Sequence, residues 1–176
     1  MRVIAGHLGG RQFSSPRGHR THPMSDKGRG ALFNALGDIS GLSLLDAFAG
    51  SGALSFEAIS RGAARATAID IDRNAQKAIA DNIKALNLAS QVKLVKAVAS
   101  SWLSTTDDLF DLVLLDPPFD DLQPNLLTRL AERTKPGGVL VLSLPPKAQI
   151  SLSDNFHPLA TKSYGDNQLV FYRRIP

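Results

Sequence analysis

Short apolar runs alternate with amphipathic segments between residues 42 and 144 of the chain. The apolar runs predict strands at 42–47, 65–70, 92–97, 111–116 and 138–144. The amphipathic segments repeat apolar residues at helical spacing and predict helices at 52–61, 73–87 and 122–134. Strands that alternate with helices predict an α/β fold, in which a mainly parallel sheet has helices on both faces.

The amino end of the chain departs from this alternation. Residues 2–6 and 11–13 predict a β-hairpin, and Ser25 is placed to begin a helix. We therefore expect residues 1–37 to form an N-terminal extension, a β-hairpin plus a helix, that packs on a domain formed by residues 38–176.

The carboxyl end predicts a second hairpin. Residues 157–162 and 168–173 form two antiparallel strands in this interpretation, around a turn that contains Gly165. Earlier in the chain, Pro136-Gly137-Gly138 predicts a turn into the fifth strand. Residues 99–106 are too short and too polar to predict an element.

Composition excludes several classes of site. The chain has 176 residues, 43% of them hydrophobic, which suits one globular domain with a sizeable core. It has no cysteine, so disulfides and cysteine-ligated zinc are excluded. The four histidines include no pair at helical ligand spacing, and we expect no metal site. Without an apolar run long enough to span a membrane or to act as a signal peptide, we expect a cytoplasmic protein without a membrane partner. Separately, we expect it to act as a monomer.

The positive charge is concentrated at the amino end. Residues 1–37 hold six basic residues and one acidic residue, whereas the rest of the chain holds 14 basic and 15 acidic residues. A localised basic segment is typical of a protein that binds nucleic acid. The alternative is a basic arm that only adds solubility. The residues predicted to contact phosphates are Arg2, Arg11, Arg17, Arg20 and Arg29.

A glycine-containing turn follows the first predicted strand of the sheet. This strand runs directly into Phe48-Ala49-Gly50-Ser51-Gly52 and then into a helix. The two glycines permit a tight turn and a close approach of a ligand to the backbone. Asp70 ends the next strand, 20 residues after Gly50, which suits a carboxylate that accepts hydrogen bonds from a ribose diol.

The turn does not favour a dinucleotide. The position where a third glycine would complete the dinucleotide fingerprint is Ser55. Asp46 lies at the end of the first strand, where it would repel a phosphate and attract a cation. A ligand with a ribose, a positive charge and no phosphate fits better, and S-adenosylmethionine has these properties. The cofactor-binding residues predicted in this turn and at these strand ends are Asp46, Phe48, Ala49, Gly50, Ser51, Gly52 and Asp70.

The fourth strand ends in Asp116-Pro117-Pro118-Phe119. The prolines have no N–H and a fixed φ, so the chain becomes a stiff loop with free carbonyls. A carboxylate, a carbonyl and an aromatic ring suit a planar group that bears an NH₂. The alternative is a strand followed by an ordinary proline turn. Asp46, Asp70 and Asp116 all follow predicted parallel strands, at the edge where open α/β sheets bind ligands.

These residues resemble those of a known family. Residues 44–52 resemble motif I of class I S-adenosylmethionine-dependent methyltransferases, and Asp-Pro-Pro-Phe resembles their Asn/Asp-Pro-Pro-Tyr/Phe motif. A closer resemblance, over nearly the whole chain, is to the bacterial small-subunit ribosomal RNA guanine-N2 methyltransferase D family. It includes the opening Met-Arg-Val-Ile-Ala-Gly and the segment 22–34. His22, Met24 and Val98 depart from the residues usual in that family.

The resemblance implies a fold, a cofactor and a reaction. It also adds Ile71 and Ala99 to the expected cofactor-binding residues. It implies a class I, Rossmann-like domain that binds S-adenosylmethionine and methylates the exocyclic N2 amine of a guanine in 16S ribosomal RNA or in the assembling small subunit. Asp116 and the Pro117 carbonyl would accept hydrogen bonds from the amine, next to Pro118, and Phe119 would stack on the base. Two alternatives stay open: an adenine-N6 methyltransferase acting on DNA or RNA, and a non-catalytic RNA-binding assembly factor with the same fold.

Overall fold

The computed structural model describes residues 1–18 and 23–176, and within these ranges it contains five helices and seven strands. The helices are α1 (Asp26–Leu36), α2 (Ala53–Ser60), α3 (Arg73–Ala85), α4 (Ala99–Leu103) and α5 (Pro124–Ala131). The strands are β1 (Ser43–Asp46), β2 (Arg65–Asp70), β3 (Val92–Lys96), β4 (Phe110–Leu115), β5 (Thr134–Leu144), β6 (Phe156–Tyr164) and β7 (Asn167–Arg174).

The seven strands form one sheet in the order β3-β2-β1-β4-β5-β7-β6. The first five strands of this order are parallel, whereas β7 runs antiparallel between β5 and β6. The predicted parallel sheet and C-terminal hairpin are therefore confirmed. Because β1 lies between β2 and β4, the ends of these three strands meet at the centre of one sheet edge.

Alternate residues of each strand face opposite sides of the sheet, and each side has its own core. Leu44 and Leu114 pack with residues of α1, α2 and α3 on one face. Leu45 and Val113 pack with residues of α4 and α5 on the other. The strands are thus buried on both faces, which explains their nearly continuous apolar sequences. No helix in the described ranges has the length and apolar character needed to cross a bilayer.

Two predictions about local structure need correction. Residues 99–106, left without an element, contain the short helix α4 (Ala99–Leu103). The predicted turn at 136–138 is wrong, because β5 already begins at Thr134, which pairs with Phe110. The pairing between β4 and β5 then shifts its register, and Gly137 has a φ of +79°. A bulge with a glycine at positive φ resembles a turn in sequence but lies within a strand.

The predicted N-terminal hairpin exists as a shorter structure that depends on its neighbours. Its ladder contains one bridge pair, Arg2 with Gln12. The turn between them is fixed by Ser60 of α2, whose carbonyl accepts a hydrogen bond from His7 N (2.9 Å) and whose Oγ accepts one from Leu8 N (2.9 Å). The hairpin is therefore held by tertiary contacts more than by its own pairing.

A buried carboxylate joins this segment to the domain. Glu57 of α2 is fully buried, and its carboxylate accepts hydrogen bonds from Ile4 N (2.8 Å), Ala5 N (3.1 Å) and Arg61 Nε (2.8 Å). Arg29 Nε of α1 lies 3.8 Å from the same carboxylate and is also fully buried. Two backbone N–H groups and two guanidinium groups thus surround a single buried negative charge.

Arg29 continues the network toward the amino end. Its Nη2 donates to the Arg2 carbonyl (2.6 Å) and to Asp26 Oδ1 (3.0 Å). Ser25 caps the start of helix α1, and its Oγ accepts a hydrogen bond from Gly28 N (3.0 Å). The cap and the Arg29 network hold a helix that its glycines weaken.

We expect Glu57→Gln to destabilise the protein strongly. The substitution removes the only fully buried carboxylate charge next to Arg29 and Arg61 in this network, so the free energy of unfolding should fall by about 3–5 kcal/mol. Lys77→Ala is the control, because it breaks an exposed ion pair with Asp81 (2.6 Å) and should cost about 0.5 kcal/mol or less. Urea unfolding monitored by circular dichroism measures both values. Equal losses in the two variants would contradict the role of Glu57.

Candidate active site

Three aspartates lie at the centre of the carboxyl edge of the sheet. Asp46 and Asp70 are the last residues of β1 and β2, and Asp116 follows the last residue of β4. The strand order places Asp46 between the other two. The negative charges of Asp116 and Asp70 both contribute to raising the pKa of Asp46. The edge thus gathers three carboxylates from strands far apart in sequence.

The turn between β1 and α2 requires glycine at two positions. Gly50 has a φ of +56° and Gly52 a φ of +84°, a region that other residues rarely occupy. A Cβ on Gly52 would lie 2.6 Å from the ring of Phe56. The turn is closed by a hydrogen bond from Gly52 N to the Ala49 carbonyl (2.7 Å). Ala49 itself is buried.

Asp70 is bound to this turn. Its Oδ2 accepts a hydrogen bond from Gly50 N (2.7 Å), and its Oδ1 accepts one from Asp72 N (2.8 Å). Burial raises the pKa of Asp70, and the two backbone N–H groups act against that rise. Because each carboxylate oxygen has two lone pairs, each retains a site for a further donor. The side chain of the next residue, Ile71, is 65% exposed.

Asp46 is completely buried, and only one of its two carboxylate oxygens has a hydrogen-bond partner among the described residues. Its Oδ2 accepts a hydrogen bond from Ser55 Oγ (2.8 Å), whereas its Oδ1 has no partner in the described part of the chain. Burial raises the pKa of Asp46 to about 7, with the hydrogen bond from Ser55 acting in the opposite direction. A buried carboxylate oxygen without a donor favours a positively charged or hydrogen-donating ligand.

The Asp-Pro-Pro-Phe loop combines a buried and an exposed part. Burial raises the pKa of Asp116 to about 6, against a hydrogen bond from Ser143. Pro117 is buried, while the ring of Phe119 is 40% exposed. The Pro118 carbonyl accepts a hydrogen bond from Asp121 N (3.1 Å), which folds the loop back on itself. The loop therefore presents an acid and an aromatic ring from a backbone with little freedom.

The first residues of α4 complete the edge. Ala99 begins this helix after β3 and is buried. Val98, the residue before it, is 42% exposed. Val98 and Ile71 thus offer exposed apolar surface, and both follow strands that end at this edge.

The predicted RNA-binding arginines have different environments. Arg2, Arg11 and Arg17 are exposed, although Arg2 pairs with Asp26 and Arg11 Nη2 donates to the Ala85 carbonyl (3.0 Å). Arg29 is fully buried in the Glu57 network, so the prediction that it contacts phosphate is wrong. Its charge is not available to a ligand. Arg20 lies outside the described residues, as does His22.

Asn82 of α3 was missed by the sequence analysis. Its Oδ1 accepts a hydrogen bond from Ser14 N (2.9 Å), and its Nδ2 donates to the carbonyls of Ser14 (2.9 Å) and Ser51 (3.4 Å). The side chain therefore bridges the N-terminal segment and the glycine turn. A polar residue between Ile79 and Ile83 on the buried face of the helix is the signal that could have indicated this role.

Comparison with known proteins places the chain in a family. Residues 1–173 match the sequence model of a family described as conserved hypothetical protein 95. The chain belongs to this family. It is 38% identical to ribosomal RNA small subunit methyltransferase D of Escherichia coli K12, in an alignment that covers 68% of the chain and 60% of that relative. It is 30% identical to the protein of the same name from Haemophilus influenzae, over 98% of the chain and 92% of that relative.

Solved structures have the same fold. The Escherichia coli protein yhhF has a TM-score of 0.89 and 30% identity, covering 99% of this chain and 98% of its own. A hypothetical protein of Thermus thermophilus has a TM-score of 0.82 and 25% identity, covering 97% of this chain and 98% of its own. The class I methyltransferase fold and the resemblance to the methyltransferase D family are therefore confirmed. The chain spans about three fifths of the length of the curated Escherichia coli relative.

We expect Gly52→Ala to destabilise the protein more than Gly10→Ala, a substitution in the N-terminal segment, although both glycines have a φ of +84°. Strain at positive φ should cost each variant about 1–2 kcal/mol. A Cβ on Gly10 meets nothing within 4 Å, whereas a Cβ on Gly52 meets the Phe56 ring. Gly52→Ala should therefore lose about 1–3 kcal/mol more in its free energy of unfolding. Equal unfolding midpoints in denaturant would show that Phe56 yields without cost.

Proposed function

We propose that the protein transfers a methyl group from S-adenosylmethionine to the exocyclic N2 amine of a guanine in small-subunit ribosomal RNA. The observation that carries the proposal is that Asp116, at the end of β4, lies next to the end of β1, where Asp46 has an unpartnered buried oxygen and the glycine turn begins. The names of the relatives, ribosomal RNA small subunit methyltransferase D, agree with this reaction.

The residues at the edge fit the cofactor. S-adenosylmethionine supplies, when bound, a methyl group activated by a sulfonium. Asp70 retains acceptor sites for the two ribose hydroxyls, and the exposed side chains of Ile71 and Val98 suit the faces of an adenine. The free Oδ1 of Asp46 would accept a hydrogen bond from the ammonium of the methionine part. The backbone of Phe48, Ala49 and Ser51 would complete the cradle, and Ala99 would border the adenine.

Asp116 and Pro117 would prepare the amine for transfer. The lone pair of an exocyclic amine is delocalised into the base, so the nitrogen is a poor nucleophile. Hydrogen bonds from its two N–H groups to the Asp116 carboxylate and the Pro117 carbonyl favour a pyramidal nitrogen with a free lone pair. These bonds strengthen as positive charge develops on the nitrogen, which is the condition for lowering the barrier. With a pKa of about 6, Asp116 is mostly ionised at neutral pH.

Phe119 would hold the base. Its ring is partly exposed three residues after Asp116 and suits stacking on a planar base, with Pro118 stiffening the loop. The target nucleotide must leave its stack to reach this edge, either by flipping or by lying in a loop. Proton loss from the methylated nitrogen then goes to water.

The N-terminal extension, residues 1–37, would contact the RNA. Arg2, Arg11 and Arg17 expose positive charge there, and Arg20 belongs to the same segment. The substrate is ribosomal RNA or the assembling small subunit, which places the protein in the cytoplasm. Asn82 links this segment to the glycine turn, so RNA contact and cofactor binding share a support.

We expect Asp116→Ala to lower transfer by a factor of about 100 or more, because it removes the acceptor for the amine. Cofactor affinity should be unchanged, since Asp116 contacts the amine. Asp120→Ala, an exposed acid in the same loop, is the control and should retain activity. Transfer is measured with tritiated S-adenosylmethionine on ribosomal RNA, and affinity by calorimetry. Wild-type turnover by Asp116→Ala would contradict the mechanism.

The same assay tests the substrate. Tritium should enter ribosomal RNA and appear in N2-methylguanosine after digestion to nucleosides. Label in N6-methyladenine, in DNA or RNA, would instead support the alternative target, because the acceptor pair suits either amine. Absence of cofactor binding at millimolar concentration would favour a non-catalytic assembly factor.

We expect Arg17→Ala to weaken RNA binding and to leave cofactor affinity unchanged. Loss of one phosphate contact should lower the slope of log affinity against log salt concentration by about 1. Lys162→Ala, an exposed cation on β6, is the control and should leave the slope unchanged. Filter binding at several salt concentrations measures both slopes. Identical slopes for Arg17→Ala and wild type would remove Arg17 from the RNA-binding surface.

A further inference from the structure

A buried serine of α2 contacts the carboxylate that ends β1. Ser55 and Asp46 are both fully buried, and Ser55 Oγ donates a hydrogen bond to Asp46 Oδ2 at 2.8 Å. Ser55 stands at the position where a third glycine would complete the dinucleotide fingerprint. Because glycine has no hydroxyl, the fingerprint itself does not supply this contact.

The needs of the helix do not explain the serine. Serine forms helices less readily than alanine, and a serine hydroxyl within a helix can bond to the carbonyl four residues earlier. The Ser55 hydroxyl instead donates to a side chain of another element. When that carboxylate is ionised, the hydrogen bond is charge-assisted and stronger than one between neutral groups. A hydroxyl has a single proton, and the bond to Asp46 uses it.

The hydrogen bond makes the two oxygens of the Asp46 carboxylate different. Oδ2 has a donor, whereas Oδ1 is buried and has no partner within residues 1–18 and 23–176. Rotation of the carboxyl group would break the bond to Oδ2, so the bond holds the group in one orientation. The Ser55 hydroxyl therefore determines which oxygen remains for a ligand.

We infer that Ser55 is a positioning residue for Asp46: its hydroxyl orients the carboxylate and keeps it negatively charged for the ammonium of the cofactor. The inference rests on the proposed function, in which Asp46 binds the methionine part of S-adenosylmethionine. Ser55 acts only through Asp46 in this role. A ligand that lacks the ammonium should therefore gain nothing from the Ser55 hydroxyl.

The surroundings of Asp46 make this donor important. Burial raises the pKa of Asp46, and the carboxylates of Asp116 and Asp70, at the ends of the two neighbouring strands, raise it further. The group that faces Asp46 from α2 is the neutral Ser55 hydroxyl, and its hydrogen bond is the largest contribution that lowers this pKa. Because the pKa of Asp46 is about 7, removing the donor leaves the carboxyl group mostly protonated at neutral pH.

The direct test is the titration of Asp46 in the ligand-free protein, followed by NMR with ¹³C at the aspartate carboxyls. Asp46→Asn removes the resonance and so assigns it. We expect Ser55→Ala to move the titration upward by about one pH unit, because the charged form loses its donor. Ser43→Ala is the control, since this hydroxyl of β1 donates to a different carboxylate, that of Asp111 (2.8 Å), and its loss should leave Asp46 unchanged.

Ligand affinity, measured by calorimetry, provides a second readout. S-adenosylhomocysteine keeps the ammonium, whereas 5′-methylthioadenosine has the ribose and the adenine without it. At pH 6, Ser55→Ala should bind S-adenosylhomocysteine about tenfold more weakly than the wild type, since an about tenfold smaller fraction of Asp46 is ionised. At pH 8.5 the two affinities should agree within about twofold. Affinity for 5′-methylthioadenosine should be the same in both proteins at both pH values.

A double-mutant cycle separates the hydrogen bond from packing. Asp46→Asn removes the charge, so adding Ser55→Ala to it should change the affinity for S-adenosylhomocysteine at pH 6 by less than about twofold. A further tenfold loss in the double variant would show that Ser55 supports the site by packing alone, and so would an equal loss of affinity for 5′-methylthioadenosine in Ser55→Ala. Either result would overturn the inference.

The outcomes distinguish this inference from the proposed function. An unchanged Asp46 titration in folded Ser55→Ala overturns the inference, and the proposed function stands if the wild type methylates ribosomal RNA. A shifted titration, together with a wild type that binds no S-adenosylhomocysteine at millimolar concentration, supports the effect of Ser55 on the charge of Asp46 and overturns the proposed function.

Discussion

The buried carboxylate of Glu57 is the interaction on which the arrangement of the molecule depends. It satisfies two backbone N–H groups of the N-terminal segment and the guanidinium of Arg61, and it balances the buried charge of Arg29. Burying these charges is favourable only when every partner is present. The N-terminal segment, α1 and α2 therefore fold as one unit. Because α2 begins directly after Gly52, the same unit also fixes the glycine turn.

A second polar contact strengthens this coupling. Asn82 holds the backbone of Ser14 on one side and the Ser51 carbonyl on the other. The basic segment is therefore attached to the domain through Asn82 as well as through Glu57, and both of these attachments lead to the turn that ends at Gly52. A change in the position of the segment, such as contact with an RNA, would act on the turn through these bonds. The connection consists of the hydrogen bonds that Glu57 and Asn82 make in the folded protein.

The periodic parts of the structure were predictable from sequence, whereas the parts fixed by distant residues were not. Strands buried on both faces give apolar runs that identify them without knowledge of their neighbours. Arg29 looks like a surface charge in sequence, because its partner Glu57 is 28 residues away. Thr134 was missed as the start of β5 because a bulge contains the same residues as a turn. The aspartates at the site were predictable because the ends of neighbouring parallel strands meet at one edge of the sheet.

Repulsion among the carboxylates of the site indicates the charge of the ligand that it binds. Asp46, Asp70 and Asp116 lie at one edge, and burial together with mutual repulsion raises the pKa of Asp46. The buried carboxylate of Glu57 has two guanidinium groups next to it, those of Arg29 and Arg61. The buried carboxylate of Asp46 has no such partner among the described residues and accepts a hydrogen bond only from the Ser55 hydroxyl. A ligand with a positive charge near Asp46 relieves the repulsion and favours the ionised form, whereas a neutral ligand of the same shape does not. The sheet edge therefore favours a ligand by its positive charge as well as by its shape. The glycine turn lets such a ligand approach the backbone next to the carboxylates.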